Sequence, residues 1–255
     1  YVKMASQLQK VVDDAAGRAT QQAAKRQAEA AAAMSATIIL SVITLLAVAG
    51  LAFLTSAYTP VASQLYVLTP DGRLAGFTML GTIIRFAPLA MMLVAMFAMK
   101  NPTARSSGIL YWALVASIGA GAGVWLLAYT GASVASTFLI TAIAFGGLSL
   151  FGYTTKKDLT GFGSFLIMGL IGLVLASLAQ MFLNLPGLSF IISILGVFIF
   201  AGLTAYDTQN LKMSYYQLGG DQQSMAVATN YGALNLYLNF INLFQFLLSI
   251  FGSRR

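Results

Sequence analysis

The sequence predicts an all-α, polytopic membrane protein with seven transmembrane helices, and three observations carry that prediction. Charged residues make up 8% of the chain against 58% hydrophobic, whereas a soluble domain carries roughly 25% charged residues. Mean hydropathy is +0.81, so polar surface is too scarce for the chain to face water. Seven apolar stretches reach the length of about 20 residues that a helix needs to cross the bilayer core. They run over 36–57, 79–99, 109–129, 134–153, 162–182, 188–209 and 231–251.

Taken in order, residues 1–35 are rich in Ala and Gln with scattered charges and read as a polar, solvated, partly helical cytoplasmic tail. The chain opens on Tyr1 rather than Met, as expected of an internal or processed start. The tail lacks the apolar core of a signal peptide, and 36–57 is long enough to stay in place as the first span. Residues 58–78, with the turn signal Thr69-Pro70-Asp71-Gly72, form the one sizeable outer loop. The later connectors alternate. Lys100 with Arg105, Lys156 with Lys157, and Lys212 mark one side, while 130–133 and 183–187 carry no charge. Basic loops stay inside, so the N-terminus is cytoplasmic, and seven spans put the C-terminus outside. Arg254 and Arg255 dissent; a last segment that re-enters rather than spans would bring them inside. The division is therefore a tail (1–35), a transmembrane domain (36–251) and a short basic C-terminus (252–255).

Small residues recur at helix-packing spacing: Gly119 and Gly123 make a GxxxG, and Gly146, Gly147, Gly169 and Gly172 continue the theme. In lipid, close backbone approach must supply the drive for helix association. Pro88 predicts a kink in the second span and Pro186 a helix start before the sixth.

The residues able to carry chemistry are few. There is no Cys and no His, which removes thiolate chemistry, Ser-His devices and the commonest metal ligand. The net charge of +7 sits in tails and short loops, so it orients the chain in the membrane and does not mark a nucleic-acid partner. Arg85 lies near the outer end of its span, placed to snorkel. Asp207, near the cytoplasmic end of the sixth span, is a functional-site candidate by default; its alternative is a helix-end acid reaching interfacial water. Asn235, Asn239 and Asn242 are spaced four and three apart and share a helical face, with Gln245 near them. This row either bonds neighbouring helices or, with Asp207, lines a polar, cation-attracting passage. An intramembrane aspartyl protease needs two carboxylates sharing a proton, and no second span contains one, so the chain is not read as an enzyme.

Three stretches resemble the Bax inhibitor (transmembrane Bax inhibitor motif) family: Gly152-Tyr153-Thr154-Thr155-Lys156-Lys157-Asp158-Leu159-Thr160, the run from Phe200 to Gln209, and Leu236-Tyr237-Leu238-Asn239-Phe240-Ile241-Asn242-Leu243-Phe244. The resemblance is strong over 140–255, looser over 79–139 and slight before that. It implies seven helices with the last one central, and a pH-sensitive calcium leak. It also implies an aspartate pair on the last two helices, of which the first matches Asp207 and the second falls at Asn239. Lys100, or less well Arg105, fits the basic residue that latches the first aspartate in the closed form. With Asn239 the like-charge repulsion that would let a pair titrate near neutrality is absent. Calcium takes about 6–8 oxygens, so Asp207 with amides and carbonyls would bind it weakly.

The leading expectation is a pH-influenced calcium leak with a degenerate sensor pair and no cofactor beyond a transient calcium ion. The runner-up is a non-conducting regulator of a membrane-bound AAA protease, with the tail reaching that partner. Proton-coupled transport is a third reading. The expected location is a bacterial inner membrane, with an organellar inner membrane left open.

Overall fold

The computed structural model describes residues 2–183, 185, 187–218 and 221–255. The helix start expected at Pro186 lies outside the described residues. The expected class holds: seven helices are long and apolar enough to cross a membrane. In order the elements are α1 (Val2–Ala57), α2 (Thr59–Leu65), β1 (Tyr66–Leu68), β2 (Leu74–Phe77), α3 (Met79–Ala98), α4 (Ala104–Ala128), α5 (Gly131–Thr154), α6 (Thr160–Leu183), α7 (Leu188–Leu218) and α8 (Gln222–Phe251).

The tail is not a separate, partly helical segment. It is the first half of the 56-residue α1, a helix about 84 Å long at 1.5 Å per residue. Its Ala, Gln, Lys and Glu content favours helix, and residues 6–28 are exposed throughout. Further along, Ala30 and Met34 are buried against Leu211, Tyr215 and Leu236. The GxxxG of α4 receives α1: a Cβ at Gly119 would stand 3.3 Å from the Val48 Cα, and one at Gly123 would stand 3.1 Å from the Ala52 carbonyl. Gly146, Gly147 and Gly172 have open space instead, so the small-residue theme is only partly a packing device.

The outer loop contains the short α2 and an antiparallel β1–β2 hairpin. Its expected turn is present: the Gly72 N–H donates to the Thr69 carbonyl (2.9 Å), with Gly72 at φ +73°. That left-handed conformation is one L side chains rarely adopt. The expected connector 210–230 is mostly helix, because α7 runs on to Leu218 and α8 begins at Gln222. Inward-facing Leu211, Tyr215, Met225 and Ala228 hold these extensions, although the segment is too polar to read as a span.

Inside α3, Pro88 lacks the N–H that would pair with the carbonyl four residues back. That carbonyl, on Ile84, instead accepts from the Ser117 hydroxyl of α4 (3.3 Å), the repair neighbouring helices make where no water is available. The C-terminus lies at the outer end. The Thr130 N–H donates to the Ser253 carbonyl and the Arg255 N–H to the Ala128 carbonyl, both at 3.0 Å. The last helix therefore spans, and Arg254 and Arg255 lie on the side opposite α1's tail. This last helix, α8, is central: 56% of its apolar window is buried, against 39% for α7 and 6% for α3. It packs on α7, α1, α5 and α4.

Candidate ion-pathway site

The site is built where α7 meets α8. Buried Thr204 and Thr208 bond back to the carbonyls of Phe200 and Thr204, both at 2.7 Å, which keeps their hydroxyls satisfied away from water. Asp207 stands between them, half-buried. The Asn239 Nδ2 donates to the Asp207 Oδ2 at 2.7 Å, and Asn239 is itself only 5% exposed. Asn235 lies one turn toward the cytoplasm. Together with Asp207, Asn210, Ser214, Tyr231 and Gly232 it lines a cavity of about 150 Å³.

Asn242 is not part of this group. Its Nδ2 bonds the Leu238 carbonyl of its own helix (2.8 Å), and it faces, with Gln245, a second and larger cavity of about 660 Å³ toward the outer end between α3, α4 and α8. Asn235 and Asn242 are about 10 Å apart along α8 at 1.5 Å per residue. Lys100 and Arg105 are exposed, and among the described residues the sole ion pair is Lys25–Glu29 on the tail. The basic latch on Asp207 is therefore unmade in this conformation, and an amide holds the carboxylate. No cluster of three or more metal-binding side chains occurs among the described residues.

Two residues beside the site have roles that the sequence does not display. Gln209, two positions after Asp207, accepts from the Leu159 N–H (2.9 Å) and donates to the Lys157 carbonyl (2.8 Å). Lys212 donates to the Tyr153 carbonyl (2.8 Å) and lies 4.7 Å from the centroid of that tyrosine's ring. Together they clamp the connector after α5 onto α7. The only hint is that Gln209 ends the same polar run as Asp207; its partners are backbone groups, which no side-chain pattern announces. Close packing completes the frame. A Cβ at Gly152 would stand 2.9 Å from the Ala205 Cα, and one at Gly163 would press on the Tyr206 ring. Farther in, the buried Tyr215 hydroxyl joins Thr37 of α1 (2.5 Å) and Thr229 of α8 (3.0 Å).

The fold and the site define a seven-span membrane protein with one carboxylate–carboxamide pair between its two most buried helices. Residues 30–255 match the family model described as "Inhibitor of apoptosis-promoting Bax1", and the chain belongs to this Bax inhibitor family. It is 62% identical over 205 residues to an uncharacterized protein of Caulobacter vibrioides, covering 80% of this chain and 82% of that one. It is 45% identical over 178 residues to the inner membrane protein YbhL of Escherichia coli (strain K12), covering 69% and 75%. An uncharacterized protein of Rickettsia prowazekii is 43% identical over 175 residues, covering 69% and 74%. With seven apolar spans and relatives named as membrane proteins, the chain is an integral protein of the bacterial inner membrane.

Proposed function

We propose that this protein is a passive cation leak, for calcium above all, with its cytoplasmic station at Asp207. The observation that carries the reading is the placement of the amide row of α8. Asn235 lines the cytoplasmic cavity with Asp207, Asn239 holds the Asp207 carboxylate, and Asn242 and Gln245 face the outer cavity. Leu238 and Ile241 of the same helix line the outer cavity beside Asn242 and Gln245, as do Arg85 and Arg254, so the one acid of the proposed pathway is Asp207. One carboxylate with amide oxygens binds calcium weakly, and conduction needs an ion that can leave again. Calcium flux into proteoliposomes is the test: Asp207→Asn and Asp207→Ala should slow it, and unchanged flux in both sinks the proposal. Asn239→Asp should move the pH profile of flux toward neutrality, since two close carboxylates share a proton; an identical profile removes the sensor-pair reasoning. The latch belongs to the same proposal. Lys100→Gln should raise flux, and no change would discard the latch while leaving the pathway.

A second reading draws on the exposed first half of α1. A helix free over residues 6–28 can present Leu8, Val11 and Val12, all well exposed, to a cytoplasmic partner such as a membrane-bound AAA protease. A stoichiometric protease recovered in mild detergent, together with absent flux, would favour this regulator over the leak.

A further inference from the structure

The outer side of the molecule carries Arg73, Arg85, Arg254 and Arg255 against one acid, Asp71 at the hairpin tip. This runs against the usual bias of basic residues toward the cytoplasm, so the outer arginines call for a reason. Two of them, Arg85 and Arg254, line the same cavity of about 660 Å³, a size typical of ligand sites. Arg85 enters from α3, about 9 Å below that helix's outer end at 1.5 Å per residue. Arg85 is exposed and near enough to the outer end for its guanidinium to reach the interface. Its guanidinium carbon lies 5.0 Å from the Phe77 ring centroid and 5.8 Å from that of Phe86. Arg254 sits 5.9 Å from the Tyr129 ring centroid, on a C-terminal segment pinned to the start of α5: the Ser253 N–H donates to the Ser133 Oγ at 3.0 Å.

Aromatic contact orients both guanidiniums, and because both residues are exposed their N–H groups stay open to a ligand. Among the described residues neither donates a hydrogen bond or pairs with a carboxylate, although each has five donors. No acid lines the cavity, and Gln245 opens into it. Its lateral wall is apolar: Pro88 and Leu89 from α3 and Ile118 from α4. Two exposed arginines lining a cavity that also has apolar lining suit a phosphate oxyanion attached to a hydrocarbon chain.

We propose that the outer cavity binds the phosphate group of an anionic amphiphile, such as an outer-leaflet phosphatidylglycerol, held between Arg85 and Arg254. The proposal does not depend on cation conduction. The test is native mass spectrometry of the full chain in detergent, titrated with phosphatidylglycerol or chain-matched phosphatidylcholine. One phosphatidylglycerol should be retained with roughly tenfold preference, falling below about threefold in Arg85→Gln/Arg254→Gln. Lys156→Gln/Lys157→Gln, at the opposite face, should leave the preference intact. Should the double variant fail to fold, Arg254→Gln alone, beyond the last helix, should still lower the preference by about threefold. A separate arm uses sn-glycerol 1-phosphate: binding at similar concentration upholds the phosphate site and makes a free anion its source, whereas lipid-only binding makes it a lipid site. Equal retention of both lipids overturns the proposal. So does an unchanged preference in the arginine variants, or an equal loss in the lysine pair.

Discussion

If Asn239 holds Asp207 as the structure shows, the two should be energetically coupled, and the size of that coupling can be worked out. The bond is 2.7 Å long and its donor is 5% exposed, so no water replaces the carboxylate on the amide's side. A hydrogen bond to a charged group contributes about 1.5–3 kcal/mol, while measured interhelical bonds in bilayers average about 0.6 and reach about 1.7. Breaking a fully buried ion pair costs 3–5 kcal/mol because a charge is stranded. That penalty does not apply here, since Asp207 borders a cavity of about 150 Å³, and a water's share of volume is about 30 Å³. The coupling should therefore fall near 1–2 kcal/mol. The assay is a double-mutant cycle of Asp207→Ala and Asn239→Ala, read by equilibrium unfolding in mixed micelles. Asp207→Asn, which keeps a neutral acceptor, should retain about half of the coupling. Single-variant losses that add within about 0.5 kcal/mol would refute the pairing.

The other expectations follow from local bonds. Ser117→Ala should lower stability by about 1 kcal/mol by orphaning the Ile84 carbonyl. Pro88→Ala should remove that cost by restoring the helix's own N–H, and a loss that persists would refute the repair role. Gln209→Ala should release the connector after α5, speeding tryptic cleavage at Lys156 and Lys157 by roughly 5–30-fold, the equivalent of about 1–2 kcal/mol of local opening; an unchanged rate would remove the clamp. Asp221 caps α8, accepting from the Gln223 N–H at 3.1 Å and from the Ser224 hydroxyl. The Ser224 side chain and the neighbouring N–H groups hold its carboxyl below the ordinary value. A depressed folded value means stabilisation present above the unfolded pKa and lost as pH falls through the folded one. Asp221→Ala should thus destabilise at neutral pH, measured by thermal unfolding, with the difference from wild type closing below about pH 4. A constant difference would contradict the capping role.

The spans were legible because a run of about 20 apolar residues in a chain this poor in charge has few other fates. The tail helix and the cytoplasmic extensions of α7 and α8 were harder to read. Their inward residues, such as Leu211 and Tyr215, are separated by polar ones, and average hydropathy conceals a packed face. The β1–β2 hairpin is three residues against four, too short for alternation to register. Of the site, Asp207 and Asn239 could be named from their place in a span and from a family pattern. Asn242 shares the helical spacing of Asn235 and Asn239 but turns to its own backbone. Two of the tight glycine contacts, at Gly152 and Gly163, belong to no GxxxG; their meaning lies in what stands opposite, the Ala205 backbone and the Tyr206 ring.

The latch shows why a shared membrane level does not establish a contact. Lys100 and Asp207 were placed at the same cytoplasmic end, yet α3 packs on α4, α2 and β2, whereas α7 packs on α8, α5, α6 and α1. The partner that Asp207 has here sits on α8, the most buried span, while α3 is the least buried. A displacement of α3 would move Arg85, Pro88 and Leu89, one wall of the outer cavity, without touching the Asp207–Asn239 bond. The two stations are then mechanically separable. The Asp207/Asn239 cycle repeated in an Arg85→Gln background should return the same coupling within about 0.5 kcal/mol. A coupling that changed with Arg85 would mean that α3 reaches the carboxylate through α4 or α8, and that the two cavities act as one.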